Sequence, residues 1–202
     1  MGDIRKTRKK YQKPNHPWNK QRIDDERALS RDYGLTNKKE LWKAETILKG
    51  FKDQIKSFPS MSEENREHQK TLLRARLNKL GLITQQTELG EVLGFTTEKI
   101  LERRLQTIVH KKGLARSAKQ ARQFIIHEHI LVNGKKVNAP SYLVLKDEEA
   151  AIEFSTRSSL AKEDHPERAP KEKVAKQKVK KGEEKPQEDI ELVELDEEAE
   201  DE

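Results

Sequence analysis

The sign of the charge changes abruptly along this chain, and the change limits how much of the chain can fold. Residues 1–157 carry 33 lysines and arginines against 20 aspartates and glutamates, whereas residues 158–202 carry 9 against 16. The last 45 residues also contain no aromatic side chain. Blocks of like charge with few large apolar side chains cannot bury enough surface to fold. We therefore predict a disordered, charged tail over residues 158–202, behind a strongly basic body.

The body has little apolar material for a chain of 202 residues. Hydrophobic residues make up 32% of the sequence and charged residues 39%, against about 25% charged in typical globular chains, so small cores are expected. The absence of cysteine excludes disulfides and thiolate metal sites, and no metal or cofactor is predicted. No apolar run reaches the roughly 18–20 residues of a membrane span, and the start lacks a signal-peptide pattern. The sequence favours a soluble, cytoplasmic protein without a membrane partner.

The first 22 residues have the composition of a basic, extended arm. Eight of them are lysine or arginine, one is aspartate, and Tyr11, His16 and Trp18 lie between the cations. Two prolines in this stretch disfavour a helix. Because cations neutralise phosphates and flat rings stack on unpaired bases, this pattern is typical of RNA-binding segments. The candidate RNA contacts in the arm are Arg5, Lys6, Arg8, Lys9, Lys10 and Trp18.

Residues 23–98 are predicted to form a small helical domain. Apolar side chains spaced three and four residues apart indicate a first helix over residues 37–58, with Asn37 as its N-cap and Glu40 in a capping box. A second helix is expected to end at Gly81. The apolar stripes of the two helices are Leu41, Ala44, Leu48, Phe51 and Ile55, then Leu72, Leu73, Leu77 and Leu80.

Residues 99–157 are predicted to form a separate module that begins with two helices. The first is expected over residues 98–112, where one stripe of apolar side chains recurs at helical spacing. The second is expected over residues 118–129, opened by a capping box of Ser117 and Gln120. Basic residues lie off the apolar stripe of each helix, so they are predicted to point outward.

A small antiparallel sheet is predicted to complete this module. The apolar period changes from 3.6 to 2 after the second helix, and Asn133-Gly134 is a strong signal for a two-residue hairpin turn. Two further strands, over residues 142–145 and 151–154, are expected on either side of an acidic turn. The predicted fold class is therefore α+β, with a mostly helical N-terminal unit followed by a helix–helix–β-hairpin module.

The start of the second helix of this module gathers groups that suit a phosphate. A helix N-terminus offers free N–H groups and the positive end of the helix dipole, and Arg116, Ser117, Lys119 and Gln120 lie there. An A-form RNA backbone, recognised by its shape and phosphates, is the natural complement. The alternative is that these cations only solubilise the helix pair. Further donors expected on this surface are Arg122, Gln123, Asn133, Lys135 and Lys136.

Five short motifs follow one another through the second module, at residues 102–106, 113–117, 120–123, 129–134 and 140–142. In order and spacing they resemble the family of ribosomal small-subunit protein four, the universal rRNA-binding assembly proteins. Stretches at residues 5–8, 14–18, 33–35 and 37–42 are similar to its archaeal and eukaryotic branch. The resemblance covers about residues 3–157 and does not extend into the tail. Some bacterial members carry a cysteine-ligated zinc, which this cysteine-free chain lacks.

The resemblance implies a structural constituent of the small ribosomal subunit and not an enzyme. It implies binding to the five-way junction in the 5′ domain of the small-subunit rRNA, nucleation of assembly of the subunit body, and an effect on decoding accuracy. Small-subunit protein five and mRNA, near the channel by which mRNA enters, are the implied neighbours, and no homo-oligomer is expected. The RNA contacts expected in this module are Arg103, Arg104, Lys111, Lys112, Arg116, Ser117, Lys119, Gln120, Arg122, Gln123, Asn133, Lys135, Lys136, Ser141 and Tyr142.

Two other functions remain open on the sequence alone. The module also resembles the accessory domain of pseudouridine synthases, but such enzymes need a separate catalytic fold. Residues 1–98 contain no Gly-rich phosphate loop, metal-spaced His/Cys cluster or nucleophile elbow. A free-standing RNA chaperone or adaptor would bind RNA weakly and without regard to its structure, whereas a ribosomal protein would bind one rRNA junction tightly at moderate salt.

Overall fold

A computed structural model describes residues 9–84, 87–162 and 165. The chain divides into two units, Met1–Arg168 and Ala169–Glu202, and every described residue belongs to the first. The predicted disorder of residues 166–202 lies outside the described part of the chain. The tail's first residues are described, and Leu160 is buried in the core, so the core extends past the predicted boundary at residue 157.

Three long helices form the N-terminal part: α1 (Lys20–Asp32), α2 (Lys38–Ser57) and α3 (Glu63–Lys79). The two helices predicted from the apolar stripes are α2 and α3, and both are confirmed, but Leu72 of the second stripe is exposed. Asn37 is the N-cap of α2, as predicted, but its side chain makes no capping hydrogen bond. The α1 helix was not predicted, because its apolar side chains are too few to produce a clear stripe.

The described part of the basic arm, which starts at Lys9, contacts α2, and α1 begins within the arm's predicted range. The N–H of Gln12 donates to Thr46 Oγ1 at 3.0 Å, and Lys49 Nζ donates to Gln12 Oε1 at 2.8 Å. The Tyr11 ring lies 6.0 Å from the ring of Trp42. The described part of the arm therefore has a defined path along α2.

The single helix predicted over residues 98–112 is wrong, because the structure contains two short helices there, α4 (Thr97–Glu102) and α5 (Leu105–Lys111). Arg104 lies between them in an extended conformation and forms a β-bridge with Leu143. Backbone hydrogen bonds from Val144 to Arg103 (2.9 Å) and from Leu105 to Tyr142 (2.8 Å) flank that bridge. The segment over residues 142–145, predicted as a strand of the sheet, thus pairs with the residues between α4 and α5. It lies outside the sheet, so this prediction is wrong.

The rest of the second module consists of α6 (Ala118–Ile126), β1 (Ile130–Val132), β2 (Lys135–Lys136), α7 (Lys146–Ala150) and β3 (Ile152–Phe154). The strands form an antiparallel sheet in the order β2-β1-β3. The hairpin is confirmed, with Val132 paired to Lys135, and so is the last predicted strand. The predicted acidic turn is the short helix α7, because Glu148 caps its own helix through the N–H of Leu145 at 3.1 Å.

Two hydrophobic clusters form the interior of the described residues. One joins α2, α3 and α4, with Leu41, Leu77 and Leu101 fully buried. The other joins α5, α6 and the sheet, with Leu105, Ile125 and Ile130 fully buried. The helix break at Arg103 and Arg104 lies between the last residue of the first cluster and the first residue of the second. The described α+β architecture agrees with the predicted fold class.

Gly34 is a position where this fold depends on a missing side chain. Its φ is +59°, and a Cβ there would lie 2.9 Å from Ala118 Cβ and 3.0 Å from Gln106 Nε2. Gly34→Ala is therefore expected to lower the free energy of unfolding by about 1–3 kcal/mol, measured by urea denaturation. Gly50→Ala is the matched control, because Gly50 lies inside α2 and a Cβ there would have nothing within 4 Å. It should stabilise the chain by about 0.5–1 kcal/mol, and equal losses in both variants would contradict the packing argument.

Candidate nucleic-acid interface

The start of α6 is shaped by two side-chain hydrogen bonds. Ser117 Oγ accepts the N–H of Gln120 at 3.2 Å, which confirms Ser117 as the N-cap. Gln120 Oε1 accepts the N–H of Arg116 at 2.8 Å. The side chains of Arg116, Ser117 and Lys119 are exposed around this helix start. Exposed cations beside the positive end of a helix dipole are an arrangement that suits a phosphate.

The hairpin that follows α6 presents a second group of exposed donors. Asn133 and Gly134 have φ values of +50° and +72°, the left-handed pair that a tight two-residue turn requires. Lys135 and Lys136 are exposed on the strand after the turn, and Lys136 Nζ lies 3.2 Å from Glu128 Oε2 in a solvent-exposed ion pair. An exposed pair of this kind is weak, so it leaves Lys136 available to a phosphate.

The two groups of donors lie before and after α6 in the chain. The nine residues of α6 span about 13 Å at a rise of about 1.5 Å per residue. Gln123, whose side chain is exposed, lies between them on the helix. The cations of both groups favour an anionic ligand, as an RNA backbone is.

Arg104 and Arg122, both predicted to point outward and to contact RNA, instead point into the protein and share the carboxylate of Glu40 on α2, so the predicted outward orientation is wrong. Arg104 Nη2 lies 2.6 Å from Glu40 Oε2, and Arg122 Nη2 lies 2.9 Å from Glu40 Oε1. The side chains of Arg104, Glu40 and Arg122 are 5%, 15% and 24% exposed. We call these three residues the Glu40 cluster. It gives both arginines a structural partner, and their contact with RNA stays a prediction.

Gln106 extends the Glu40 cluster into a buried polar junction. Its Nε2 donates to the carbonyl of Gly34 at 3.0 Å and to that of Ala118 at 2.8 Å, and its Oε1 accepts from Arg122 Nη1 at 3.4 Å. Gln106 is 1% exposed. The junction therefore links the loop after α1, the start of α6 and α5. The sequence gives no signal of this role for Gln106, which lies beside an apolar stripe. The predicted capping-box role of Glu40 is wrong, because its carboxylate pairs with the two arginines and the Asn37 side chain makes no capping hydrogen bond.

Arg103 and Tyr142 are also engaged within the protein. Arg103 Nη1 lies 2.8 Å from Glu149 Oε2, and its Nη2 donates to the carbonyl of Val144 at 3.1 Å. Tyr142 Oη donates to Glu148 Oε2 at 2.8 Å. This hydrogen bond, together with partial burial, raises the pKa of Tyr142. RNA contact by Arg103 and Tyr142 also stays a prediction, but Tyr142 Oη already has an acceptor.

The remaining candidates lie at the surface where they are described. Lys111 Nζ is 3.0 Å from Glu102 Oε1, and Lys112 Nζ donates to the carbonyl of Ala150 at 3.3 Å, both in exposed positions. In the arm, Trp18 is 89% exposed. Arg5, Lys6 and Arg8 lie outside the described residues. The other exposed candidates are Ser141, Lys9 and Lys10.

The Glu40 cluster predicts a specific dependence of stability on pH. Burial alone would raise the pKa of Glu40, but hydrogen bonds from Arg122 and Arg104 outweigh burial, so its pKa lies below the ordinary 4.5. A depressed pKa contributes stability above the unfolded-state pKa, and this contribution is lost as the pH falls through the folded-state pKa. The difference in unfolding free energy between the wild type and Glu40→Gln should be constant near neutral pH and shrink below pH 4.5. A difference that grows on acidification, in urea denaturation at each pH, would contradict this assignment.

Two other features, a metal site and a membrane-spanning helix, are not found in the described ranges. Among their residues, no group of three or more histidine, cysteine, aspartate or glutamate side chains is placed to hold a metal ion. Within the same ranges, no helix has the length and apolar character needed to cross a membrane.

Comparison with known proteins places this module in a family of domains. Residues 103–149 match the S4 domain, a range that contains the exposed start of α6, the hairpin and both arginines of the Glu40 cluster. The chain is 52% identical over 169 residues to the small ribosomal subunit protein uS4 of Methanococcus aeolicus, covering 83% of this chain and 96% of that protein. It is 51% identical to uS4 of Methanococcus maripaludis, with 83% and 95% covered. It is 46% identical to uS4 of Hyperthermus butylicus, with 87% and 99% covered.

Proposed function

Because the chain belongs to the uS4 family of small ribosomal subunit proteins, we propose that it is an rRNA-binding structural protein of the small ribosomal subunit. The observation that carries this proposal is the 52% identity across 96% of a uS4 protein. The proteins of this family are structural and not enzymes, and the same holds for this chain. Its place is in the ribosome, and we assign it to the cytoplasm.

The finer function is binding to the five-way junction in the 5′ domain of the small-subunit rRNA, with nucleation of assembly of the subunit body. The exposed cations at the start of α6 and on the hairpin support this, since such cations can neutralise the phosphates of an RNA backbone. Contact with small-subunit protein five and with incoming mRNA, and the resulting effect on decoding accuracy, belong to the same proposal. The family resemblance supports them.

The Glu40 cluster supports the proposal in a second way. It ties α2 to α6 by ion pairs between residues 82 positions apart in the chain, so the start of α6 is held against the N-terminal helices. RNA groups bound there meet a helix whose backbone position is already fixed. Such pre-organisation lowers the entropy lost on binding.

The test is binding of the full chain to a transcript of the 5′ domain and to a matched transcript in which the five-way junction is abolished. We expect tight binding to the first only. With about six to ten phosphate contacts, the logarithm of the affinity should fall with the logarithm of the salt concentration with a slope of roughly −4 to −9. Equal affinity for both transcripts would indicate a structure-blind RNA chaperone instead. Small subunits purified from cells should retain the protein through a high-salt wash and sedimentation.

A further inference from the structure

Trp18 is held in a highly exposed position by a braced turn. Arg22, on the first turn of α1, donates from Nη2 to the carbonyls of His16 at 3.2 Å and Pro17 at 3.0 Å. The same guanidinium pairs with Glu26, whose side chain is 3% exposed. Because the brace reaches a buried carboxylate, the turn that carries Trp18 is fixed to the body of the protein and its path is set before any ligand binds.

The exposure of Trp18 contrasts with the other tryptophan. Trp42 is partly buried, and its Nε1 donates to Glu26 Oε1 at 3.1 Å. Trp18 is 89% exposed, the highest value among the large hydrophobic side chains at the described surface. A ring of this size left in water forgoes a burial worth about 25 cal/mol per Å² of apolar surface. A turn that is braced yet leaves its ring in solvent is arranged for a partner outside the chain.

The charge of the chain segment that carries this ring indicates the chemistry of its partner. Residues 9–20 contain four lysines and no acidic residue, and the first turn of α1 contains no acidic residue. The lysines Lys13 and Lys20 lie close to Trp18 in the chain and are exposed. A flat ring among cations is complementary to a nucleobase flanked by phosphates. The other large exposed hydrophobic side chains in the described ranges, such as Leu72 and Leu93, come from other elements, so an apolar protein partner has less to recognise here.

We propose that Trp18 is a pre-organised platform on which one unpaired base of the small-subunit rRNA stacks, while the arm's lysines neutralise the flanking phosphates. This contact lies outside residues 103–149 of the S4 domain, so it is a second point of attachment. It rests on the proposed function, because it takes the same rRNA as its ligand.

The first experiment measures binding of Trp18→Ala, Trp18→Phe and Leu72→Ala full-length variants to the small-subunit rRNA. Stacking contributes about 1–3 kcal/mol per base, so Trp18→Ala should bind about 5- to 150-fold more weakly. Trp18→Phe should recover much of the loss. The salt dependence should keep the wild-type slope, since no charge is removed. Leu72→Ala removes an exposed side chain from α3 and should bind like the wild type.

The second experiment uses Trp42→Phe, which leaves Trp18 as the only tryptophan of the two in the chain. Its fluorescence should be quenched when the rRNA binds, because a stacked base contacts the ring. Unchanged fluorescence in a tight complex, or unchanged affinity of Trp18→Ala, would overturn the platform while leaving the proposed function intact. Shielding of Trp18 only after other small-subunit proteins are added would also overturn it, in favour of a protein contact. Failure of the wild type to bind the rRNA selectively would instead defeat the proposed function.

Discussion

Glu40→Ala is expected to lower the free energy of unfolding by about 3–5 kcal/mol, the range typical of a buried ion pair that loses one partner. The reason is Arg104, whose side chain is 5% exposed and pairs with Glu40 at 2.6 Å. Without the carboxylate, its charge stays in a site with little access to water. Arg122 is 24% exposed and can turn toward solvent, so Arg104 dominates the loss. Urea denaturation followed by circular dichroism measures this change.

Glu67→Ala is the matched control, because Glu67 is an exposed glutamate within α3. It should change stability by less than about 0.5 kcal/mol. The double variant Glu40→Leu with Arg104→Met removes the pair together, and replacement of a buried pair by apolar side chains is often neutral. It should therefore be clearly more stable than Glu40→Ala. A double variant as unstable as the sum of its single changes would show that the two residues do not act as a pair.

Simultaneous replacement of Arg116, Lys119 and Lys135 with glutamine is expected to weaken binding to the rRNA junction by about 10²- to 10⁴-fold, at roughly 1–2 kcal/mol for each charged contact. All three side chains are exposed on the S4 domain, so stability should change little. The logarithmic salt slope should become shallower by about one unit for each phosphate that is no longer neutralised. Filter binding across a series of salt concentrations measures both quantities.

The control removes the same charge elsewhere. Lys56, Lys70 and Lys79 are exposed on α2 and α3, and their replacement with glutamine leaves the S4 domain intact. We expect a much smaller loss of affinity from this variant. If both triple variants lose affinity equally, then binding depends on net charge alone and the interface at α6 and the hairpin is refuted.

The sequence predicts secondary structure best where that structure depends on residues close together in the chain. Ser117 caps α6 and Asn133-Gly134 turns the hairpin as predicted, because both features depend on residues within a few positions. The prediction of one helix over residues 98–112 is wrong because the structure there depends on a distant segment. Its apolar stripe is buried as expected, with Ile100 and Leu105 in the core, yet a backbone bridge to Leu143 interrupts it. A periodic apolar stripe indicates which side chains are buried. It does not indicate that a distant segment takes the backbone hydrogen bonds that would continue the helix.

The candidate RNA-binding residues show the same difference between local and long-range features. The helix faces and the family resemblance together assigned Arg104 and Arg122 to RNA. A position off an apolar stripe or within a motif records that an arginine is present and says nothing about where its guanidinium points. The structure turns both toward Glu40, which is 64 residues away from Arg104 in the chain. No local pattern relates these positions. Lys119 and Lys135, by contrast, are exposed, as cations off an apolar stripe or beside a hairpin turn usually are.

The sequence by itself determined the basic body, the family, the positions of α2, α3 and the hairpin, and the exposed cations around α6. Each of these follows from composition or from short-range spacing, which a chain carries in order along its length. Only the tertiary structure decided that two arginines share one partly buried carboxylate, that the described part of the arm lies along α2, and that Trp18 lies in a braced turn with its ring exposed to solvent. These features depend on which distant groups meet when apolar faces pack, because a buried charge must find its partner wherever the fold brings one within reach.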